Sequence, residues 1–153
     1  NGTIVAHVMD EENVIAALQH PDVMIAADGG SLADGHGHPR SAGSHARVLG
    51  VYVREMGVLT LMDAIRKMTL LPARRMETAV PSMADKGRIR VGADADLTIS
   101  DPETVIDNAT FENPALPSTG IPYILVGGTL VVANSELVEG ALPGRPVRRE
   151  IKQ

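Results

Sequence analysis

A chain of 153 residues is long enough for one ordinary domain, or for part of a larger one. Its 44% hydrophobic and 22% charged residues exclude wholesale disorder, and its net charge of -5 with scattered basic residues argues against nucleic acid, which needs a basic patch. An aromatic content of 2% removes the stacking platforms that bind single strands, zero cysteines exclude disulfides and thiolate ligands and fit a reducing cytoplasm, and no apolar run approaches the roughly 20 residues of a membrane span.

In chain order, the apolar run from Thr3 to Met9 predicts a buried strand. Asp10 then offers an N-cap, with Glu11 and Glu12 in the first helical turn where the dipole favours acids, and the helix is predicted to stop before Pro21. Val23 to Ala27 is a second wholly apolar run, the pattern of a parallel strand covered on both faces, and it ends at Asp28-Gly29-Gly30. A Gly, His and Ser-rich loop is expected from Ser31 to about Ser44, longer than the usual ~2–6 residues of a βα connection, which marks it as functional or mobile. Val48 to Met56 is predicted helical, and Thr60 is placed to cap an amphipathic helix with Leu61, Ala64, Ile65 and Met68 on one apolar face.

The grammar changes after Pro72, where Pro and Gly become frequent. Short strands divided by turns are expected within Gly87 to Gly92 and Ala95 to Asp101. Ile121 to Val126, Gly127-Gly128 and Thr129 to Ala133 predict a hairpin whose two glycines supply the positive φ of a tight turn. Two strand-helix units cannot close a barrel, and a two-stranded parallel sheet leaves its faces bare. Partner strands are therefore expected from a missing N-terminal segment, from another copy of this chain as a homo-oligomer, or from the β unit covering the open side.

Several side chains carry chemistry. On turn chemistry alone Asp28 is a strand-ending residue, and Arg40 alone is a solvated loop arginine. His36-Gly37-His38 has the alternation that can hold a metal on a strand, but in a Gly-rich loop a fortuitous surface pair is the better reading. His7 reads as a packing histidine, and His20, beside Pro21, as a helix-end residue.

Motifs recur in order over nearly the whole chain. Met24-Ile25-Ala26-Ala27-Asp28-Gly29, His38-Pro39-Arg40-Ser41-Ala42-Gly43-Ser44 and Arg47-Val48-Leu49-Gly50 are followed by Ala64 to Thr69 and Pro72 to Arg75. Gly92 to Leu97, Asp101 to Val105, Ala109 to Pro114 and Val126-Gly127-Gly128 come next. Together they resemble the N-acyl-D-amino-acid deacylases of the metal-dependent amidohydrolase superfamily. The resemblance implies an α/β fold in which residues 1–76 are the C-terminal portion of a (β/α)8 barrel and residues 77–153 are part of a small β-sandwich. It implies that Asp28 is the catalytic acid at a barrel strand end, exchanging a proton with the attacking water and sharing a metal with ligands outside the chain. Arg40 is implied to grip the substrate's α-carboxylate, a task suited to a planar guanidinium, with His38 contacting substrate or positioning the loop. Zinc is the implied cofactor of the complete enzyme. The superfamily's metal-binding His-x-His belongs to the first barrel strand, which this chain lacks, and is not to be equated with His36 and His38. Ala27, Ser44 and His45 depart from the family's usual Ser, Thr and aromatic residue.

Three functions follow as expectations. The first is part of a zinc-dependent deacylase of N-acyl-D-amino acids, inactive alone because one acid cannot assemble a four-ligand zinc site. The second keeps the fold and acts on a cyclic amide, as dihydroorotase-like or hydantoinase-like relatives do. The third is a non-catalytic oligomerising fragment.

Overall fold

The computed structural model describes residues 8–32 and 35–149. Most of the first predicted strand, with His7, lies outside the described residues, and Val8 and Met9 are exposed and irregular. Helix α1 spans Glu11–Gln19 with extended Asp10 as N-cap, both acids in its first turn, and an end at His20 immediately before Pro21, as its start and stop residues predict. Its Val14, Ile15 and Leu18 face the main apolar cluster of Ile25, Val48, Tyr52, Leu59 and Ala64. Burial, with Glu11 beside its hydroxyl, pushes the Tyr52 pKa up.

The strand predicted at Val23 to Ala27 is not formed: these residues are irregular and pair with no strand among the described residues. Ile25 is buried and its amide donates to the Lys67 carbonyl at 3.1 Å, whereas Met24, Ala26 and Ala27 are exposed. A parallel ladder needs a neighbouring strand, and here a helix end takes that place on one side only.

The expected loop is shorter than its composition suggests. It closes at Pro39, and helix α2, Arg40–Arg47, runs on without a break into a π-type stretch at Val48–Glu55. Arg40 is thus the first residue of a helix, not a loop residue. A tertiary contact explains why the Gly-containing segment is helical: a Cβ at Gly43 would lie 1.7 Å from Asp107 Oδ1, and one at Gly50 would lie 2.7 Å from the Val105 carbonyl oxygen. The glycines let the helix backbone close onto residues 105–107, where Val105 is fully buried and its carbonyl also accepts from Arg54 Nη1 at 2.6 Å. Gly50→Ala gains helix propensity of about 1 kcal/mol, yet it forces a methyl against backbone, an overpacking cost of roughly 1–3 kcal/mol. We expect a net loss of stability, read as a lower urea midpoint with an unchanged slope.

Helix α3, Leu61–Met68, begins as predicted: Thr60 Oγ1 accepts from the Asp63 amide at 3.1 Å and donates to Asp63 Oδ2 at 2.8 Å. Its apolar face is narrower than expected, because Ile65 is exposed and Lys67 is the buried charged residue, 2% exposed. Lys67 Nζ donates to the carbonyls of His20 and Val23, the latter at 3.1 Å, so it ties the helix to the turn after α1. Helix α4, Leu70–Glu77, follows, and a 3-10 turn spans Pro81–Asp85.

The second half forms one antiparallel sheet in the order β1 (Leu97–Ile99), β2 (Tyr123–Val126), β3 (Thr129–Ala133), β4 (Glu136–Leu137). The β2–β3 hairpin turns on Gly127 and Gly128, with φ of 54° and 80°, as the Gly-Gly pair predicts. Residues 87–92 are not a strand, and ion pairs of Arg88 with Glu77 and Arg90 with Asp85 hold this stretch against α4 and the 3-10 turn instead. Every sheet residue is half-buried or exposed, so neither face is covered by a second layer. Mixed helix and sheet is therefore the architecture, with helices and strands segregated along the chain.

The Gly92 to Leu97 motif acts in this sheet. Asp96 accepts the Gly127 amide at 2.8 Å and pairs with Lys86 Nζ at 2.5 Å, while Asp94 pairs with the same ammonium at 2.8 Å. Lys86 and then the Gly127 bond hold the Asp96 pKa below the usual value of 3.8, and the two acids raise that of Lys86 above 10.5. A depressed carboxylate stabilises the fold above its unfolded pKa and loses that contribution as pH falls through the folded value. A raised ammonium contributes below its unfolded pKa and loses it on alkaline titration. Asp96→Asn keeps an acceptor but loses the charge, for an expected cost of about 1 kcal/mol at pH 7. In paired thermal melts the difference from wild type should shrink below about pH 4, where Asp96 protonates in the unfolded chain.

Candidate active site

The candidate residues meet where the irregular segment after α1 meets the start of α2. Asp28 follows the apolar run 23–27, and its side chain is 90% exposed. Gly29 allows the two segments to touch, because a Cβ there would lie 2.9 Å from the Ser41 Cα. The Gly30 amide donates to Ser41 Oγ at 2.9 Å, joining the turn to the first turn of α2.

Asp28 and Arg40, 12 residues apart, are brought together: Arg40 Nη2 lies 2.9 Å from Asp28 Oδ2 and its Nε donates to the Asp28 carbonyl. The expected acid and the expected carboxylate grip are therefore each other's partner. Because both side chains are largely exposed, the pair is worth only about 0–1 kcal/mol and a competing carboxylate can displace it. The Arg40 guanidinium divides its contacts between the Asp28 carboxylate and the Asp28 backbone carbonyl, and the first-turn amides of α2 already donate to His38 and Pro39. A carboxylate entering here would therefore have the Arg40 fork as its cationic partner.

His38 is half-buried, and its Nδ1 accepts the Arg40 amide at 3.1 Å, while its ring meets Phe111 at 5.3 Å with planes 76° apart. Ser41, Gly29 and Phe111 all lie in motifs quoted above, but no local pattern marks them as site residues. Farther along α2, desolvation by burial lowers the His45 pKa, although the side chain keeps an exposed edge. His36 is exposed.

Among the described residues there is no group of three or more His, Cys, Asp or Glu able to hold a metal. The cation beside Asp28 is Arg40, and His36-Gly37-His38 gathers no third ligand. These residues do not by themselves fit a zinc site, which needs three or four protein ligands, so no chemical step is assigned to a metal held by them. Among the described residues no helix is long and apolar enough to cross a membrane.

Residues 13–132 match the sequence model described as the amidohydrolase family. The chain is 46% identical, over 93% of its length and 28% of the relative's, to an N-acyl-D-glutamate deacylase of Alcaligenes xylosoxydans xylosoxydans. A crystal structure of a D-aminoacylase, said to define a novel subset of amidohydrolases, superposes with a TM-score of 0.76 at 37% identity, covering 86% of this chain and 26% of that one. The N-acyl-D-glutamate deacylase of Bordetella bronchiseptica, complexed with zinc and a phosphonate mimic of the tetrahedral intermediate, superposes at 0.72 and 40% identity over 92% and 27%. The chain thus spans about a quarter of the length of the relatives it matches.

Proposed function

This chain belongs to the amidohydrolase family, and on that premise we propose that it is the C-terminal portion of an enzyme hydrolysing the amide bond of N-acyl-D-amino acids. Residues 1–76 supply the last two βα units of a (β/α)8 barrel and residues 77–153 part of a β-sandwich. Exposure supports this reading. The chain presents 10848 Å² to solvent, against roughly 7,500 Å² for a compact monomer of its mass. The apolar run 23–27 leaves Met24, Ala26 and Ala27 exposed, and the sheet lacks a covering layer. A further polypeptide, the N-terminal barrel portion or a second copy, is the partner that completes these surfaces.

In the proposed mechanism Asp28 takes the proton of the water that attacks the amide carbonyl. As the C–O bond forms and the C–N bond breaks, it returns that proton to the departing nitrogen, giving a carboxylate and a free D-amino acid. Arg40 binds the substrate's α-carboxylate through its planar fork. His38 accepts the Arg40 amide and so holds the arginine at the start of α2. The zinc of the complete enzyme would be shared by Asp28 with ligands from outside the described residues, since those described gather no set of three. The observation that carries the reading is the juxtaposition of Asp28 and Arg40 at 2.9 Å, an acid and a carboxylate-binding cation brought together at the start of α2.

The test is turnover by the purified 153-residue chain. With N-acetyl-D-glutamate and added zinc it should show no hydrolysis above the buffer rate, and co-expression with a barrel portion from a matching relative should restore it. Zinc-dependent turnover by the chain alone contradicts the reading.

A further inference from the structure

We infer that Phe111, from the second half of the chain, is a positioning residue for carboxylate recognition, acting through His38 on Arg40. The inference rests on the proposed role of Arg40. It starts from an arrangement that local sequence does not require. Phe111 is the chain's only phenylalanine and stands half exposed, 73 positions after the histidine it meets edge-to-face.

The connection from Val105 to Ser118 is fastened at three further places, two on α2 and one on its π-type continuation. Asp107 lies against Gly43 so closely that no Cβ fits, and its Oδ1 is held by the Ala109 amide at 2.9 Å. Ser118 Oγ donates to the Ala42 carbonyl at 3.3 Å, and Arg54 Nη1 reaches the Val105 carbonyl. The segment carrying Phe111 is therefore fixed relative to the first turn of α2.

His38 transmits that fixity. Its Nδ1 accepts the backbone amide of Arg40, so turning the ring also disturbs the residue whose guanidinium reaches Asp28. A second-half loop thus sets the ring, the ring sets the amide, and the amide sets where the guanidinium starts. The contact resembles a support that orients a binding group rather than one that touches the ligand.

The inference is tested by NMR titration of the 153-residue chain, following the Arg40 Nε–H and backbone amide signals. The probes are N-acetyl-D-glutamate and the same molecule with its α-carboxylate converted to a carboxamide. Phe111→Leu should weaken the carboxylate probe roughly two- to tenfold, the effect of one edge-to-face contact, and leave the carboxamide probe unchanged. Phe111→Tyr, which keeps the ring, should restore wild-type affinity. Phe111→Met supplies a second ringless variant should the leucine variant lose its dispersed spectrum. If Arg40→Ala abolishes carboxylate binding while the ringless variants bind normally, positioning by Phe111 is wrong and the Arg40 reading stands. If Arg40→Ala also binds normally, or wild type gives no titratable shift, the carboxylate grip fails and the inference falls with it. Equal weakening of both probes assigns Phe111 a general structural role and likewise overturns it.

Discussion

Asp28→Asn, in the enzyme completed by its remaining barrel portion, is expected to lower kcat by roughly 10²–10⁴-fold, the contribution of a positioned general acid-base group. An amide of nearly the same shape can neither take the water's proton nor return it. The structure adds a second effect of opposite sign. Because Asp28 is the ion-pair partner of Arg40, the variant also releases the guanidinium. The pair is exposed, so the release should tighten binding of an N-acyl amino acid only modestly, by about two- to fivefold. Steady-state kinetics should therefore give a collapsed kcat with an unchanged or lower KM. A variant retaining kcat, or one raising KM as far as it lowers kcat, would falsify the assignment of Asp28 as the proton carrier.

Arg40→Ala should have the reverse signature. Loss of a charge-assisted fork removes roughly 1.5–3 kcal/mol, or about 10–100-fold in kcat/KM, for substrates that carry an α-carboxylate. Substrates without that group should be spared, which separates an N-acyl amino acid enzyme from one acting on cyclic amides. The measurement is kcat/KM for an N-acyl-D-amino acid and for its ester or carboxamide, compared in both proteins. Equal losses on the two would place Arg40 in the framework instead, holding Asp28 through the bond to its carbonyl.

Much of this was legible where the chemistry is local. Asp10 and Pro21 bound α1, Thr60 and Asp63 cap α3, and Gly127-Gly128 turns the hairpin, because each depends on residues a few positions apart. What was missed depends on distant partners. The helix expected at Val48 to Met56 is present, but its π form and the earlier start of α2 at Arg40 go with the close approach of residues 105–107 to Gly43 and Gly50, which no pattern within residues 31–56 encodes. Strand β4 follows the Asn134-Ser135 turn, both residues at positive φ, and with two residues it is too short to show an alternating pattern. Lys67 sits at a helix position that reads as solvated, yet it is buried by the carbonyls it serves. Asp28 and Arg40 were each named as candidates, but their mutual pairing appears only once Gly29 brings the two segments together.

The bond from Ile25 to the Lys67 carbonyl, together with the hold of the Lys67 ammonium on His20 and Val23, has a consequence for assembly. It fixes the facing of residues 23–27, with Ile25 buried against the helices and Met24 and Ala26 exposed. A one-residue slip in pairing would invert that choice and pull Ile25 out of the core. Under the proposed barrel reading, an incoming strand would meet a segment whose facing is already fixed, so association would have two edges to align rather than several registers to search. Asp28, three residues beyond Ile25, would keep that alignment.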